Sequence, residues 1–410
     1  MTQAGTVAAR SLPSVPSGTS SCSGHGEGTS ALPVAHPDPD PSKGRQTSPR
    51  RRFIATASGI VAAAAASTIS DVPSVIAQAK VQWRLSTAYP AMLDVLHGAA
   101  LQLAKVVEET SGGRFRIEVF PGGQIMDPYA CFDGASQGSI QAFMASSWTW
   151  AAKEPAFSWF GTIPFGMNGE GMTAWCYQGD GLKLWEEAYS AFNLVPRPSV
   201  PIAPQMAGWF RKKITTIGDF KGLKMRIAGL GGPVITRAGG TTVATPASEI
   251  YSALERGVID AAEWIGPHDD MKLGLHRTAR YYYYPGWQDT GTLIVFGFNK
   301  KAYEALPVDL QRTLDYATAA VHTYALADFH TKNAIALERL KTDFKGKVEV
   351  LPLPGPALRD LRKLSAEVLR EESEKSPMAK KVYASFSKFQ ALVGPWDRIA
   401  EGAYQQLVSG

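Results

Sequence analysis

Twice in this chain an amphipathic helix ends at a glycine and runs straight into a short apolar strand. The first instance reads Gly138-Ser139-Ile140-Gln141-Ala142 and the second Gly257-Val258-Ile259-Asp260-Ala261. Upstream of the first, residues 81–85 alternate as a strand does. Leu93, Leu96, Ala100, Leu103 and Val107 then follow the three-and-four spacing of one buried helix face. Gly112-Gly113 stops that helix, residues 115–120 form the next strand, and a second helix follows to Gln137. Upstream of the second instance the order is similar: a strand over 221–228, a glycine-rich connection with a short helix over 229–240, and a helix over 246–255. Strand and helix alternating in this way predict an α/β fold with parallel strands and helices on the sheet faces. Written twice, they predict two lobes. Residues 80–203 with about 290–330 make the first lobe, 204–289 with about 331–355 the second, and 356–410 a set of C-terminal helices. Ligands of open α/β sheets sit beyond the carboxyl ends of the strands, so the cleft between lobes is the expected site.

Residues 1–47 are rich in Ser, Gly, Pro and Thr and lack apolar periodicity, so they bury too little surface to offset ordering entropy. Ser48-Pro49-Arg50-Arg51-Arg52-Phe53-Ile54 follows, then an alanine run over 55–66, and then Ala77-Gln78-Ala79 as a small-residue cleavage site. This pattern reads as a twin-arginine export signal removed after Ala79. The alanine run is shorter than the ~18–20 apolar residues of a membrane span. A basic arm for nucleic acid would not lead into such a run. Without residues 1–79, which hold six Lys and Arg against four Asp and Glu, the net charge falls from +5 to +3. So small an excess excludes a nucleic-acid partner, which needs a basic stripe.

Cys131 and Cys176 remain after cleavage; an exported chain permits a bridge between them, but neither spacing nor context requires one. Residues 309–341, 357–376 and 380–407 carry periodic leucines and many charges, with Pro377 and Pro395 expected to break or kink the helices. Gly134-Ala135-Ser136-Gln137-Gly138 has the G-x-S-x-G form of a serine hydrolase, but its serine ends a helix instead of following a strand. Gly229-Leu230-Gly231-Gly232 begins like a dinucleotide loop, yet Val234 occupies the third glycine's place. His268 and His276 have no metal-site spacing and read as surface or hydrogen-bonded histidines.

In 222–228, alternation puts Leu223, Met225 and Ile227 on one face and Lys224 and Arg226 on the other. Arg226 stands near the strand's carboxyl end, where its planar fork suits a carboxylate. On the residues alone, a solvated arginine at a strand edge is the simpler reading. Glu263 ends an apolar strand in Ala262-Glu263-Trp264-Ile265-Gly266-Pro267, and Asp289 follows the aromatic run 281–287. Acids in apolar surroundings are costly to bury without a cation. Each alone is equally well placed at an exposed loop tip.

From about Lys80 onward the chain resembles the periplasmic substrate-binding proteins of tripartite ATP-independent (TRAP) transporters, in the branch that binds α-keto and 2-hydroxy monocarboxylates. The resemblance is carried by Phe120-Pro121-Gly122-Gly123-Gln124, Lys153-Glu154-Pro155-Ala156-Phe157, Pro164-Phe165-Gly166-Met167, Gly208-Trp209-Phe210-Arg211-Lys212, Lys224-Met225-Arg226, Ala262 through Pro267, and residues 281–287. It implies a two-lobed, periplasmic-binding-protein-like architecture, a small organic acid as ligand, and a membrane permease as partner. It further implies a homodimer formed through the C-terminal helices and no organic cofactor. Arg226 is implied to grip the ligand carboxylate with help from Gln205, and Trp148, Trp150 and Trp264 to touch the ligand. A sodium or calcium ion is implied at Gln205, Glu263, the Trp264 carbonyl and Asp289, a hard oxygen set. Two departures stand out: Trp148-Thr149-Trp150 replaces a tyrosine pair before a tryptophan, removing a phenol, and Asp289 replaces a glutamate one methylene longer. The rival reading is a secreted enzyme using Glu263 and Asp289 as an acid/base or metal-hydrolytic pair. If the arginine pair directs export, changing Arg50 and Arg51 to lysine will leave the precursor in the cytoplasm. Normal periplasmic yield of that variant contradicts the assignment.

Overall fold

The computed structural model describes residues 80–408, so the export signal lies outside the described residues. Among the described residues no helix is long and apolar enough to cross a membrane. In chain order the strands are β1 (Val81–Thr87), β2 (Phe115–Phe120), β3 (Ala142–Ala145), β4 (Leu194–Pro201), β5 (Gly208–Phe210), β6 (Lys224–Arg226), β7 (Thr241–Val243), β8 (Ala261–Ala262), β9 (Tyr281–Tyr284), β10 (Leu293–Asn299) and β11 (Glu349–Pro352). They form two mixed sheets, ordered β2-β1-β3-β10-β4 and β11-β9-β5-β8-β6-β7.

The doubled sequence pattern is one topology built twice. β1 runs parallel to β2 and β3, and β6 runs parallel to β7 and β8. Each third strand then meets an antiparallel one, β10 beside β3 and β5 beside β8. Gly138 and Gly257 end the preceding helices with φ of 84° and 71°, a left-handed conformation that strains residues bearing a Cβ. The second copy's strands are shorter than the sequence predicts. β6 covers Lys224–Arg226 instead of 221–228, because Gly222 turns the chain before it and the Ala228 N–H bonds the Glu263 carboxylate instead of a strand.

Helix Val308–Thr342, 35 residues and about 52 Å long at 1.5 Å per residue, joins the assembly. Leu310, Leu314, Ala317, Val321, Ala325 and Phe329 form its buried stripe, and it packs on β4, helix Leu96–Thr110 and helix Pro267–Lys272. Helix Gly355–Ser373 then buries Leu361 and Val368 in the core of the second sheet. Helix Pro377–Asp397 returns to the first lobe, where Phe386 meets Trp175 edge-on at 5.6 Å. Pro377 opens this helix at a position where no N–H is needed, and Pro395 sits inside it just before a π-helical stretch, Arg398–Gly402. Cys131 and Cys176 are buried free thiols with no bridge between them, and burial pushes the Cys176 thiol up to about 12. Ser136 donates to the Phe192 carbonyl at 2.7 Å and ends its helix half-buried, which is not a nucleophile's setting.

Where helix Pro267–Lys272 meets the loop after β1, Asp94 accepts bonds from His268 (2.8 Å), Lys272 (3.1 Å) and Lys332 (3.0 Å). His268 is therefore hydrogen-bonded, whereas His276 is buried with neither ring nitrogen bonded, contrary to the sequence expectation. Next to this cluster Asp269 is fully buried and neither of its carboxylate oxygens has a partner. Burial, then the nearby Asp270 and Asp94, push its carboxyl up to about 8. The folded chain therefore keeps a proton that the unfolded chain releases near pH ~4, and this group's contribution to stability falls as pH rises from about 4 to about 8. Asp269→Asn will raise the melting temperature at pH 8 by at least ~3 °C, with the gain shrinking by pH 5. A gain that grows on acidification contradicts this reading.

Candidate functional site

The carboxyl ends of β1, β3, β6 and β8 converge on one partly open cavity of about 40 Å³. Tyr89 follows β1, Ser146, Trp148 and Thr149 follow β3, Arg226 ends β6, and Glu263 and Trp264 follow β8. Gln205, Asp289 and Tyr129 complete the polar wall from loops. A void of this size holds roughly three water-sized groups at ~10–15 Å³ each.

Strand register sets the charges. Arg226 pairs with Ala262 across β6 and β8, and the Glu263 N–H donates to the Arg226 carbonyl at 3.0 Å, so the two side chains leave adjacent strands together. Arg226 Nη1 donates to Glu263 Oε2 at 2.9 Å and to the Glu263 carbonyl at 2.6 Å, while Nη2 makes no hydrogen bond to the protein. Its guanidinium carbon lies 4.9 Å from the Trp264 ring centroid. Both members of the ion pair are 1% exposed, so Arg226 is not the solvated edge residue that its sequence context favoured. Glu263 Oε2 also accepts the Ala228 N–H at 3.0 Å.

Asp289 is held next to Gln205 by main-chain and side-chain bonds. The Gln205 N–H donates to the Asp289 carbonyl (3.1 Å), the Gly286 N–H to the Gln205 carbonyl (2.8 Å), and Gln205 Nε2 to Asp289 Oδ2 (2.7 Å). Thr292 Oγ1 donates to the same carboxylate oxygen at 2.6 Å. Gln205 Oε1 and Asp289 Oδ1 are left buried with no donor. Buried acceptors without a donor are costly, and two oxygens facing no proton donor fit a hard cation. Burial pushes Glu263 up to about 7 against the opposing charge of Arg226, with Asp289 adding to the rise. Burial likewise pushes Asp289 up to about 7, against the bond from Thr292. The site thus gathers two carboxyls around one guanidinium.

Of the residues singled out from sequence, Gln205, Arg226, Glu263, Trp264, Asp289 and Trp148 line the cavity, but Trp150 does not. Trp150 is buried beside Phe132 and Phe143, ring centroids 4.7 and 5.3 Å away, and its indole N–H donates to the Tyr129 carbonyl at 3.1 Å. Two residues apart in a 3₁₀ turn, Trp148 and Trp150 point to different sides, which a reading of the tripeptide as one unit misses. Two tyrosines from outside the tripeptide, Tyr89 and Tyr129, line the cavity, the Tyr89 hydroxyl lying 3.1 Å from Ser146 Oγ. Tyr89 is signalled by its place after the first parallel strand; Tyr129 carries no local signal.

The family model for DctP, bacterial extracellular solute-binding protein family 7, matches residues 87–376. A monocarboxylate 2-oxoacid-binding periplasmic protein of Nostoc sp. is 36% identical over 329 residues, covering 80% of this chain and 89% of that one. Among solved structures, a TRAP solute-binding protein from Bordetella bronchiseptica is 36% identical with a TM-score of 0.78, covering 80% of this chain and 97% of its own. It is described as a mixed-occupancy dimer with copurified calcium and picolinate in one site. A TRAP periplasmic solute-binding protein from Pseudoalteromonas atlantica, with bound sodium and pyruvate, is 34% identical with a TM-score of 0.77, covering 80% of this chain and 99% of its own. The two-lobed fold, the cavity at the strand ends and these likenesses together establish that the chain belongs to the DctP family of TRAP solute-binding proteins.

Proposed function

We propose that this protein captures a small 2-oxo or 2-hydroxy monocarboxylate in the periplasm and delivers it to a TRAP permease. The observation that carries this reading is Arg226, buried at the cavity with Nη1 spent on Glu263, Nε directed at the Thr245 carbonyl (3.4 Å) and Nη2 without a protein partner. A carboxylate of a few heavy atoms matches both the free donor and the cavity size. The relatives that bind 2-oxo acids, pyruvate and picolinate support the same class of ligand.

A bound acid adds a third negative group to the two carboxyls, against a single guanidinium. A sodium or calcium ion offsets the surplus, and the relatives carry one or the other. Gln205 Oε1, Asp289 Oδ1, Glu263 and the Trp264 carbonyl are the oxygens that would hold it, where it supplies positive charge that fixes the ligand's orientation. The lobes close as hinged bodies of residues 80–203 with about 290–330 and 204–289 with about 331–355, the ligand favouring the closed state by its higher affinity for it. Catalysis by Glu263 and Asp289 is the weaker reading, because each carboxylate has one oxygen tied down by two donors. Pyruvate recovered unchanged after incubation, one molecule per chain, supports the binder. Export follows the twin-arginine route.

Arg226→Ala will weaken binding by about 2–5 kcal/mol, roughly thirty- to several-thousand-fold in Kd. Arg226→Lys will restore part of it, because an ammonium lacks the planar fork. Chelation will weaken binding by wild type, and Asp289→Asn will lessen that dependence. Wild-type affinity of Arg226→Ala for every 2-oxo and 2-hydroxy acid that binds, read by calorimetry, removes this residue from the site.

The C-terminal helices support a homodimer. Leu392, Trp396 and Ile399 are exposed at helical spacing on one face, continued by Leu407. A dimer by light scattering at micromolar concentration is expected, converted to monomer by Trp396→Glu with Ile399→Glu. A wild-type monomer contradicts it.

A further inference from the structure

At the end of the second sheet opposite the ligand cavity, β5 finishes at Phe210 and β9 begins at Tyr281, which face each other in the ladder. Arg211 and Arg280 therefore leave the sheet side by side. With Arg277 and Lys347 they line a concavity of about 600 Å³, whose wall includes His276 and Phe344. It shares no residue with the ligand cavity.

Only one of the four cations is neutralised. Arg280 pairs with Glu349 at 2.7 Å, and Arg339 nearby pairs with Asp343 at 3.4 Å. Arg211, Arg277 and Lys347 make no ion pair or side-chain hydrogen bond among the described residues. His276 is only 8% exposed, held edge-on against Phe344 with ring centroids 4.5 Å apart. Neither of its nitrogens is hydrogen-bonded and Nδ1 is sealed from solvent. Burial first, then Arg277 and Arg339, keep the imidazole below its ordinary pKa. A solvated basic rim accounts for the arginines. It does not account for an imidazole whose Nδ1 is sealed without a partner beside like charges, an arrangement that costs free energy unless something compensates.

We propose that this concavity is a second binding site, for a phosphate-type oxyanion. Two guanidinium forks and an ammonium around one hollow suit a multiply charged group with three or more acceptor oxygens, and an imidazolium donor completes the set. The same chemistry is presented by free inorganic phosphate and by the headgroup of an anionic phospholipid. The site lies at the far end of β5 from Gln205, so occupancy leaves the ligand cavity open.

The test compares wild type with Arg211→Ala/Arg277→Ala at low ionic strength, where exposed charges are least screened. Calorimetry with inorganic phosphate should show one anion per wild-type chain and at least tenfold weaker binding by the double variant, with the thermal midpoint unchanged. The His276 imidazole resonances should titrate at higher pH in phosphate than in chloride of equal ionic strength. Flotation with phosphatidylglycerol vesicles, against phosphatidylcholine alone, separates the sources: vesicle binding lost in the double variant, without binding of free phosphate, assigns the headgroup. Binding of neither probe, equal binding by both proteins, or a His276 titration that stays unmoved while phosphate binds overturns the proposal.

Discussion

A guanidinium and a carboxylate, both shut away from water, are the pair around which this site is organised. Arg226 and Glu263 leave adjacent parallel strands, and the main-chain bond between those same two residues fixes how they meet. Buried ion pairs are poor sources of stability, because desolvating two charges offsets much of their attraction. Their worth lies in geometry. Glu263 occupies Nη1 and turns the fork so that Nη2 remains for another acceptor, while the Trp264 ring confines the guanidinium plane. Removing either partner leaves a buried charge alone, so the two act as one unit.

The same burial explains the rest of the polar wall. Asp289 has no guanidinium of its own, and Gln205 and Thr292 satisfy only one of its oxygens. Low polarizability around Glu263 and Asp289 disfavours their charged forms, which is why both carboxyls sit near 7. In the proposed complex a cation reverses that penalty and neutralises the ligand, so acid and cation bind best together. Coupling of this kind is strongest where water is kept from the charged groups, because charges attract more strongly in a low-dielectric setting.

Much of this was legible beforehand. The repeated helix–glycine–strand pattern foretold two sheets of one topology because a left-handed cap and a period-two strand are local properties. Glu263 at the end of an apolar strand, Asp289 after an aromatic run and Arg226 near a strand's carboxyl end drew notice, but on the residues alone a solvated arginine and exposed loop tips were the simpler readings, and the family resemblance carried their roles. What escaped was set by non-local packing. Trp150 looked like a ligand contact, but a tight turn sends it into the aromatic core. Tyr129 reaches the cavity from a loop whose sequence gives no period to read. The shortness of β6 depends on Ala228 giving its N–H to a carboxylate 35 residues away.

The central claim is that acid and cation occupy this cavity together. Native mass spectrometry of the exported protein, exchanged into a volatile buffer with pyruvate and trace calcium or sodium, weighs both at once. One pyruvate and one cation per chain, lost together in Arg226→Ala, is the predicted result. Pyruvate bound at full occupancy without any cation, or retained by Arg226→Ala, contradicts the account.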